Sequence, residues 1–377
     1  MTMERCRAAV LAHVVTFGFS VFMATAQPTE QSTDSSCTQR NSLSKRVQFA
    51  DLKAAAHILR HRDPWAKQLS SFDLGARQKT AVPTSLHEFL TFAAASAVTW
   101  TPREEASWQP IIEKLGAAIA GLNLHVPNID LVKTNGREEF GASYTRDDAI
   151  VLPESMISLA SSNPRNAYFL LAHELFHVLS RTDSRLRDRL YALLGFERVR
   201  RFEYPAELED RRISNPDAFE YLHTLKVQAG AVSVHVLPVI QSLVPLQEAI
   251  QLPNFFAALD IVLLPVEPRT GVVRRDSNGN LIRYSFGNTN WVPLMLRNSS
   301  YIIHPEELLA DNFATLMEWR STGVLPPSNP GGFPVNDVSL LKSIQDVLTG
   351  GCRQRNPSSH WHPNSIVRAP ADDERKG

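Results

Sequence analysis

Three residues in one short stretch, His173, Glu174 and His177, have the types and the spacing needed to run hydrolysis with a divalent metal. In His173-Glu174-Leu175-Phe176-His177 the two histidines stand four apart, so on an α-helix they share one face and can reach the same ion. Zn²⁺ takes neutral imidazole nitrogen, and a catalytic zinc site uses three protein ligands while leaving the fourth position to water. Glu174 follows His173 directly, which places its carboxylate where it can take a proton from that water. The metal brings the water's pKa down to about neutrality, giving a nucleophile suited to carbonyl carbon. Without a metal, two imidazoles and a carboxylate on an apolar helix would each need other partners to be buried.

A third ligand must come from elsewhere in the chain. Glu307 is the first candidate, in HPEELLADNF, where Glu307 and Asp311 are four apart and share a helix face. Glu307 is expected to bind the metal and Asp311 to accept from the outer nitrogen of a ligating histidine, which orients the ring and raises its basicity. Glu306, Glu307 and Asp311 would otherwise be acidic residues placed near a helix start. Asp183 is the rival ligand, giving HExxHxxSxxD. That pattern is similar to the metzincins, except that Ser180 stands where their sharp turn uses glycine. A residue to stabilise the oxyanion is also expected. Tyr144, Tyr221, His223, Tyr301 and His304 are the candidates.

These side chains need rigid elements to hold them. SSNPRNAYFLLAHELFHVLSR starts with residues able to cap a helix and with Pro164 suited to the first turn, so it predicts the helix that carries the two histidines. Pro305 opens a second helix, with Leu308, Leu309, Leu316 and Met317 on its apolar side. SRLRDRLYALLGF predicts a further helix ending near Gly195. Residues 46–125 show apolar spacings of three and four, as in SLHEFLTFAAASAV, and predict a helical region. NIDLVKTNG and GASYTRDDAIVLP carry β-branched runs broken by turn residues and predict paired strands. An inserted segment at about 200–298 contains the strand-like LKVQAGAVSVHVLPVI. It also contains Asp276-Ser277-Asn278-Gly279-Asn280, which predicts a hairpin turn rather than a calcium loop because no closing glutamate follows.

HExxH followed downstream by ExxxD resembles the gluzincin group of zinc metallopeptidases, on His173 to His177, Glu307 to Asp311 and the strand AIVLP at Ala149 to Pro153. The interval of about 130 residues between the two motifs is far longer than in thermolysin-like members. The resemblance implies an α+β, zincin-like fold, mainly helical, with a small sheet beside the HExxH helix. It also implies peptidase activity with Glu174 as general base, and it makes AIVLP the sheet edge along which an extended peptide would lie. Residues 126–350 form the expected catalytic region, and its partner is a peptide or protein substrate. The alternative is a secreted, non-catalytic binding protein stapled by a structural zinc with four protein ligands.

The chain's bulk properties fit an exported globular protein. With 377 residues and 43% hydrophobic content it can bury a substantial core. Lys plus Arg and Asp plus Glu both number 39, which argues against nucleic acid or another polyanion as partner. Residues 1–26 read as a signal peptide, with Arg5 and Arg7, an apolar run and Ala24-Thr25-Ala26 before the cut, so the expected location is secreted or periplasmic, free of the membrane once cleaved. An uncleaved anchor is the alternative. Residues 27–45 read as a flexible leader and 351–377 as a disordered tail, in which His360-Trp361-His362 carries no expected role. Signal removal leaves Cys37 and Cys352, which suits one disulfide in an oxidising compartment.

Overall fold

The computed structural model describes residues 43–350, so the signal, Cys37, Cys352, the tail and all but the last three residues of the expected leader lie outside the described residues; Leu43–Lys45, expected to be flexible, form a 3-10 turn because Leu43 is buried in the main core. Strand β1 (Val47–Phe49) comes first, then helices α1 (Leu52–Arg60), α2 (Ser71–Gln78), α3 (Leu86–Ala94) and α4 (Pro102–Ile119). Each helix starts where a short polar side chain can accept an N–H that the helix leaves unpaired. Asp51 accepts from Ala54, while Ser70, Ser85 and Thr101 form reciprocal caps with Asp73, Glu88 and Glu104. Strand β1 was not expected in this helical region, since three residues are too few to show a period.

Strands β2 (Ile129–Thr134), β3 (Tyr144–Arg146) and β4 (Ala149–Pro153) join β1 in a sheet of order β1-β2-β4-β3. β1 and β4 both run parallel to β2, with Val47 opposite Ile129 and Asp130 opposite Ala149, and β3 folds back antiparallel on β4. The placement of AIVLP corrects the sequence reading. Strand β4 is an inner strand, buried at all five positions, and β3 forms the edge on that side. Its unbroken apolar run has the pattern of a strand covered on both faces, whereas an edge strand facing a cleft alternates.

Helix α5 (Pro164–Thr182) carries the histidines and is capped by Asn163, and α6 (Ser184–Ala192) follows at once. The long segment after it folds into a second sheet of β5 (Phe196–Arg198), β6 (His223–Ala229), β7 (Val232–Ser242) and β8 (Leu259–Pro265), antiparallel in chain order. The architecture is therefore mixed helix and sheet, with two four-stranded sheets where a single small one was expected. Asp276 uses its carboxylate to close the expected hairpin turn, taking the N–H groups of Asn278 at 2.9 Å and Asn280 at 2.8 Å, with Gly279 at φ +80°.

Helices α7 (Pro305–Thr322) and α8 (Val338–Thr349) complete the described chain. α5 and α7 lie antiparallel, as their cross-contacts show: Arg165 meets Glu318, the Tyr168 hydroxyl donates to Met317 O at 2.9 Å, Phe176 packs on Phe313, and His177 reaches Glu306. Helix α4 packs against both. Arg320 donates to the carbonyls of Ala118 and Ala120 at its C-terminal end, at 2.7 and 3.0 Å. Such bonds satisfy carbonyls that the helix leaves unpaired. The main core gathers Trp108, Ile112 and Leu115 with Leu171, Leu175, Phe313 and Leu316, directly beneath the histidine face. Among the described residues, no helix is long and apolar enough to cross a membrane.

Candidate metal centre

The antiparallel packing of α5 on α7 sets the two sequence motifs side by side. Glu307 Oε2 lies 3.3 Å from His173 Nε2 and 3.6 Å from His177 Nε2. A tetrahedral ion with ligand bonds of the length usual for zinc separates its donors by about 3.3 to 3.4 Å, close to both of these distances, and the three donor atoms all lie within 4.8 Å of one another. His177 and Glu307 are buried, while His173 keeps 12% of its side chain exposed and so marks the side open to solvent. This group of two imidazoles and a carboxylate could hold a metal ion.

The outer nitrogens of both rings face carboxylates. His173 Nδ1 donates to Asp311 Oδ1 at 2.9 Å, and His177 Nδ1 donates to Glu306 Oε1 at 3.0 Å. An ionised carboxylate can only accept, so Nδ1 carries a proton in each ring and Nε2 is the nitrogen that faces the shared point. Each carboxylate is held in turn. Ser299 donates to Asp311, Ser180 and Tyr191 donate to Glu306, and Asn215 donates to the second oxygen of Glu307 at 2.5 Å.

Glu174 is buried on the same helix, and its Oε2 has no hydrogen-bond partner among the protein atoms. Burial first, and then the nearby Asp217 charge, raise its pKa to about 8. Asp217 was not foreseen from the sequence. One of its ligand atoms lies within 4.8 Å of both Glu174 and His177. Its carboxylate accepts from the Thr145 N–H at 2.8 Å and from the Thr145 hydroxyl, with Arg181 Nη2 3.7 Å away. Five carboxylates thus crowd two imidazoles in a mostly buried space, an excess of negative charge that calls for a cation or protons. The titration of the histidines reflects this. Burial alone would lower the His177 pKa, but the charges of Asp217 and Glu307 raise it to about 9. His173 is raised too, burial being outweighed by its hydrogen bonds to Asp311 and Glu307.

All but one of the remaining sequence candidates lie elsewhere. Asp183 caps α6, accepting from the N–H groups of Arg185 and Leu186 at 3.0 Å each, and stands apart from the cluster because α5 runs on through Thr182 instead of turning back. His304 caps α7 through Nδ1, and burial lowers its pKa to about 4. His223 bonds Asp188 at 2.8 Å, Tyr144 donates to Glu138 at 3.4 Å, and Tyr221 belongs to a separate apolar cluster. Tyr301 alone of the five joins the centre, its ring stacked on that of His173 at 6.1 Å between centroids.

Sequence reasoning also missed Glu306, Asn215, Tyr191 and Ser299. Glu306 had a signal of a kind: successive helix residues point about 100° apart, so two adjacent acids can flank one ring from different sides. Asn215 and Asp217 sit in a loop, where no periodicity tells which way a side chain points. No family model matches the chain, and neither a curated protein nor a solved structure does.

Proposed function

We propose that the chain is a zinc-dependent hydrolase of peptide bonds, with His173, His177 and Glu307 as the metal ligands and Glu174 as the general base, on a zincin-like arrangement of the gluzincin kind. The observation that carries the reading is the convergence of the Glu307 carboxylate on the Nε2 atoms of His173 and His177, beside a buried Glu174 oxygen that no protein group satisfies. A zinc ion held there acidifies water and polarises a carbonyl. Two imidazoles and one carboxylate are a donor set that catalytic zinc accepts, and the exported character read from residues 1–26 agrees with a peptidase.

The chain's own groups have separable tasks. Glu174, kept from solvent and with a free oxygen, takes the proton of the attacking water and returns it to the leaving amine. Asp311 and Glu306 hold the imidazoles in the tautomer that ligates. Tyr301 is the candidate to steady developing negative charge on the substrate oxygen, as it lies against His173. Asn215 fixes the orientation of Glu307. Glu174→Gln should keep its zinc and lose hydrolysis of a mixed peptide pool by 100-fold or more, on the order expected for a general base. Full turnover by that variant would remove Glu174 from the role.

A second reading has one observation in its favour. Asp217 approaches His177 and Glu174, and as a fourth protein ligand it would close the site and leave a structural zinc in a non-catalytic binding protein. Asp217→Ala separates the two. In the structural reading it weakens zinc binding sharply, whereas in the hydrolase reading zinc is held as before.

A further inference from the structure

Asp217 stands at a distance from the metal centre that suits one substrate group in particular. In a peptide, the first carbonyl carbon and the α-amine of the same residue are separated by two bonds, N–Cα and Cα–C, or about 2.5 Å. A carboxylate that receives this amine must lie within a few ångströms of the place where the carbonyl reacts. Asp217 does, with an oxygen within 4.8 Å of the ligand atoms of both Glu174 and His177.

The two oxygens of Asp217 are used unequally. Oδ1 accepts from the Thr145 N–H at 2.8 Å and from the Thr145 hydroxyl, and has Arg181 Nη2 at 3.7 Å. Among the described residues no group donates to Oδ2, although the side chain is only 8% exposed. Glu174 beside it likewise has Oε2 buried without a protein partner. In the proposed reaction water meets the Glu174 oxygen, which leaves the oxygen of Asp217. One divalent ion and Arg181 do not balance the five carboxylates of the centre, so the group that meets Asp217 is best a cation.

The sheet edge limits what that cation can belong to. Thr145 lies on β3, the outer strand, and its N–H turns away from β4 towards Asp217. An extended peptide adding to this edge would need that N–H, and Asp217 already holds it. The cavity that Asp217 borders together with Tyr191, His223 and Glu306 measures about 10 Å³, room for one water but not for a further residue.

We infer that Asp217 receives the α-ammonium group of the substrate's first residue, so that the chain removes single residues from free N-termini. The inference deepens the hydrolase reading above and rests on it. Water adds to the first carbonyl carbon, the bond to the second residue breaks, and the proton taken by Glu174 passes to the freed amine. The products are one amino acid and a peptide shorter by one residue. Thr145 and Arg181 position Asp217 through Oδ1 and leave Oδ2 to the substrate.

Short synthetic peptides with free N-termini, and the same peptides N-acetylated, test this on the zinc-loaded full chain, with products read by mass spectrometry. The free peptides should lose residues one at a time from the N-terminus, and the acetylated ones should react slower by about 100-fold or more, the loss usual when one partner of a buried charge pair is neutralised. Asp217→Asn keeps an oxygen for Thr145. It should hold zinc as the parent does, raise KM for the free peptides by about 100-fold and lose most of the preference over the acetylated set. Equal cleavage of both sets by the parent, or an unaltered preference in Asp217→Asn, would overturn the inference while leaving the hydrolase reading in place. Loss of zinc in that variant would overturn it too, by making Asp217 a ligand. Should Asp217→Asn fail to fold, the comparison of the two sets on the parent still decides. Failure of the hydrolase reading looks different, since the zinc-loaded parent would then cleave neither set, and the inference would fall with it.

Discussion

His177 is the most heavily engaged side chain in the centre, and its chemistry gives a pH dependence with a definite sign. When the metal is stripped, the ring's pKa in the fold is about 9, against 6.5 for a free histidine. A folded-state pKa above the unfolded one gives stability that is complete below pH 6.5 and is lost as pH rises through 9. The stripped protein should therefore lose melting temperature across that window, at up to about 1.4 kcal/mol per pH unit for one proton. With zinc bound the ring is already neutral and the slope from His177 should vanish. Thermal scans at intervals across the window, with and without zinc, check both halves, and parallel profiles would speak against His177 as a ligand. At this scale the sequence was informative about the site. HExxH and ExxxD are spacings of four, which a helix converts into one face, so His173, Glu174, His177, Glu307 and Asp311 could all be named in advance. Glu306 was named only as helix-start charge, because spacing says which residues share a face but not what stands opposite.

Helix α2 supplies a support that spacing does not reveal. Arg77, buried between Trp65 and Phe255, donates to Asp73 and Glu139 at 2.5 Å each and to the Ser214 carbonyl at 2.8 Å. Asp73 in turn accepts from the Ser214 N–H and hydroxyl at 2.9 and 2.8 Å. Ser214 precedes Asn215 and Asp217, so this buried pair anchors the loop that delivers an amide to Glu307 and a carboxylate beside Glu174. Arg77→Ala leaves two buried acids without their partner and should cost about 3–5 kcal/mol by denaturant titration. A loss under 1 kcal/mol would show that the network does not hold the loop. The helical region that contains α2 was legible from apolar spacings of three and four. Its partner loop was not, because the two are some 140 residues apart and a loop has no period to read.

The whole chain folds the two expected regions into each other. Strand β1 pairs with β2, Trp108 of α4 donates to Ile157 O at 3.0 Å, and Arg320 at the far end of α7 grips the end of α4. Helix α4 therefore shares the core that underlies the centre, while α1 and α3 pack in a second cluster against residues of β2 and β4. A chain beginning at Val126 should fail to give a cooperative melt, and a folded, zinc-binding product of that truncation would mark the helical region as separable. The mixed helix-and-sheet class could be read from alternating apolar periods, but sheet order could not. AIVLP was expected at an edge and lies inside, since strand order is decided by which neighbours cover each face, and a short run of apolar residues states only that it is covered.

The central claim is that His173, His177 and Glu307 hold one zinc ion. X-ray absorption at the zinc edge of the loaded protein tests it most directly. The account predicts two imidazoles and low-atomic-number donors at about 2.0 to 2.2 Å with no sulfur, and one imidazole fewer in His177→Ala. A shell with no imidazole scattering, or one left unchanged by that substitution, would contradict it.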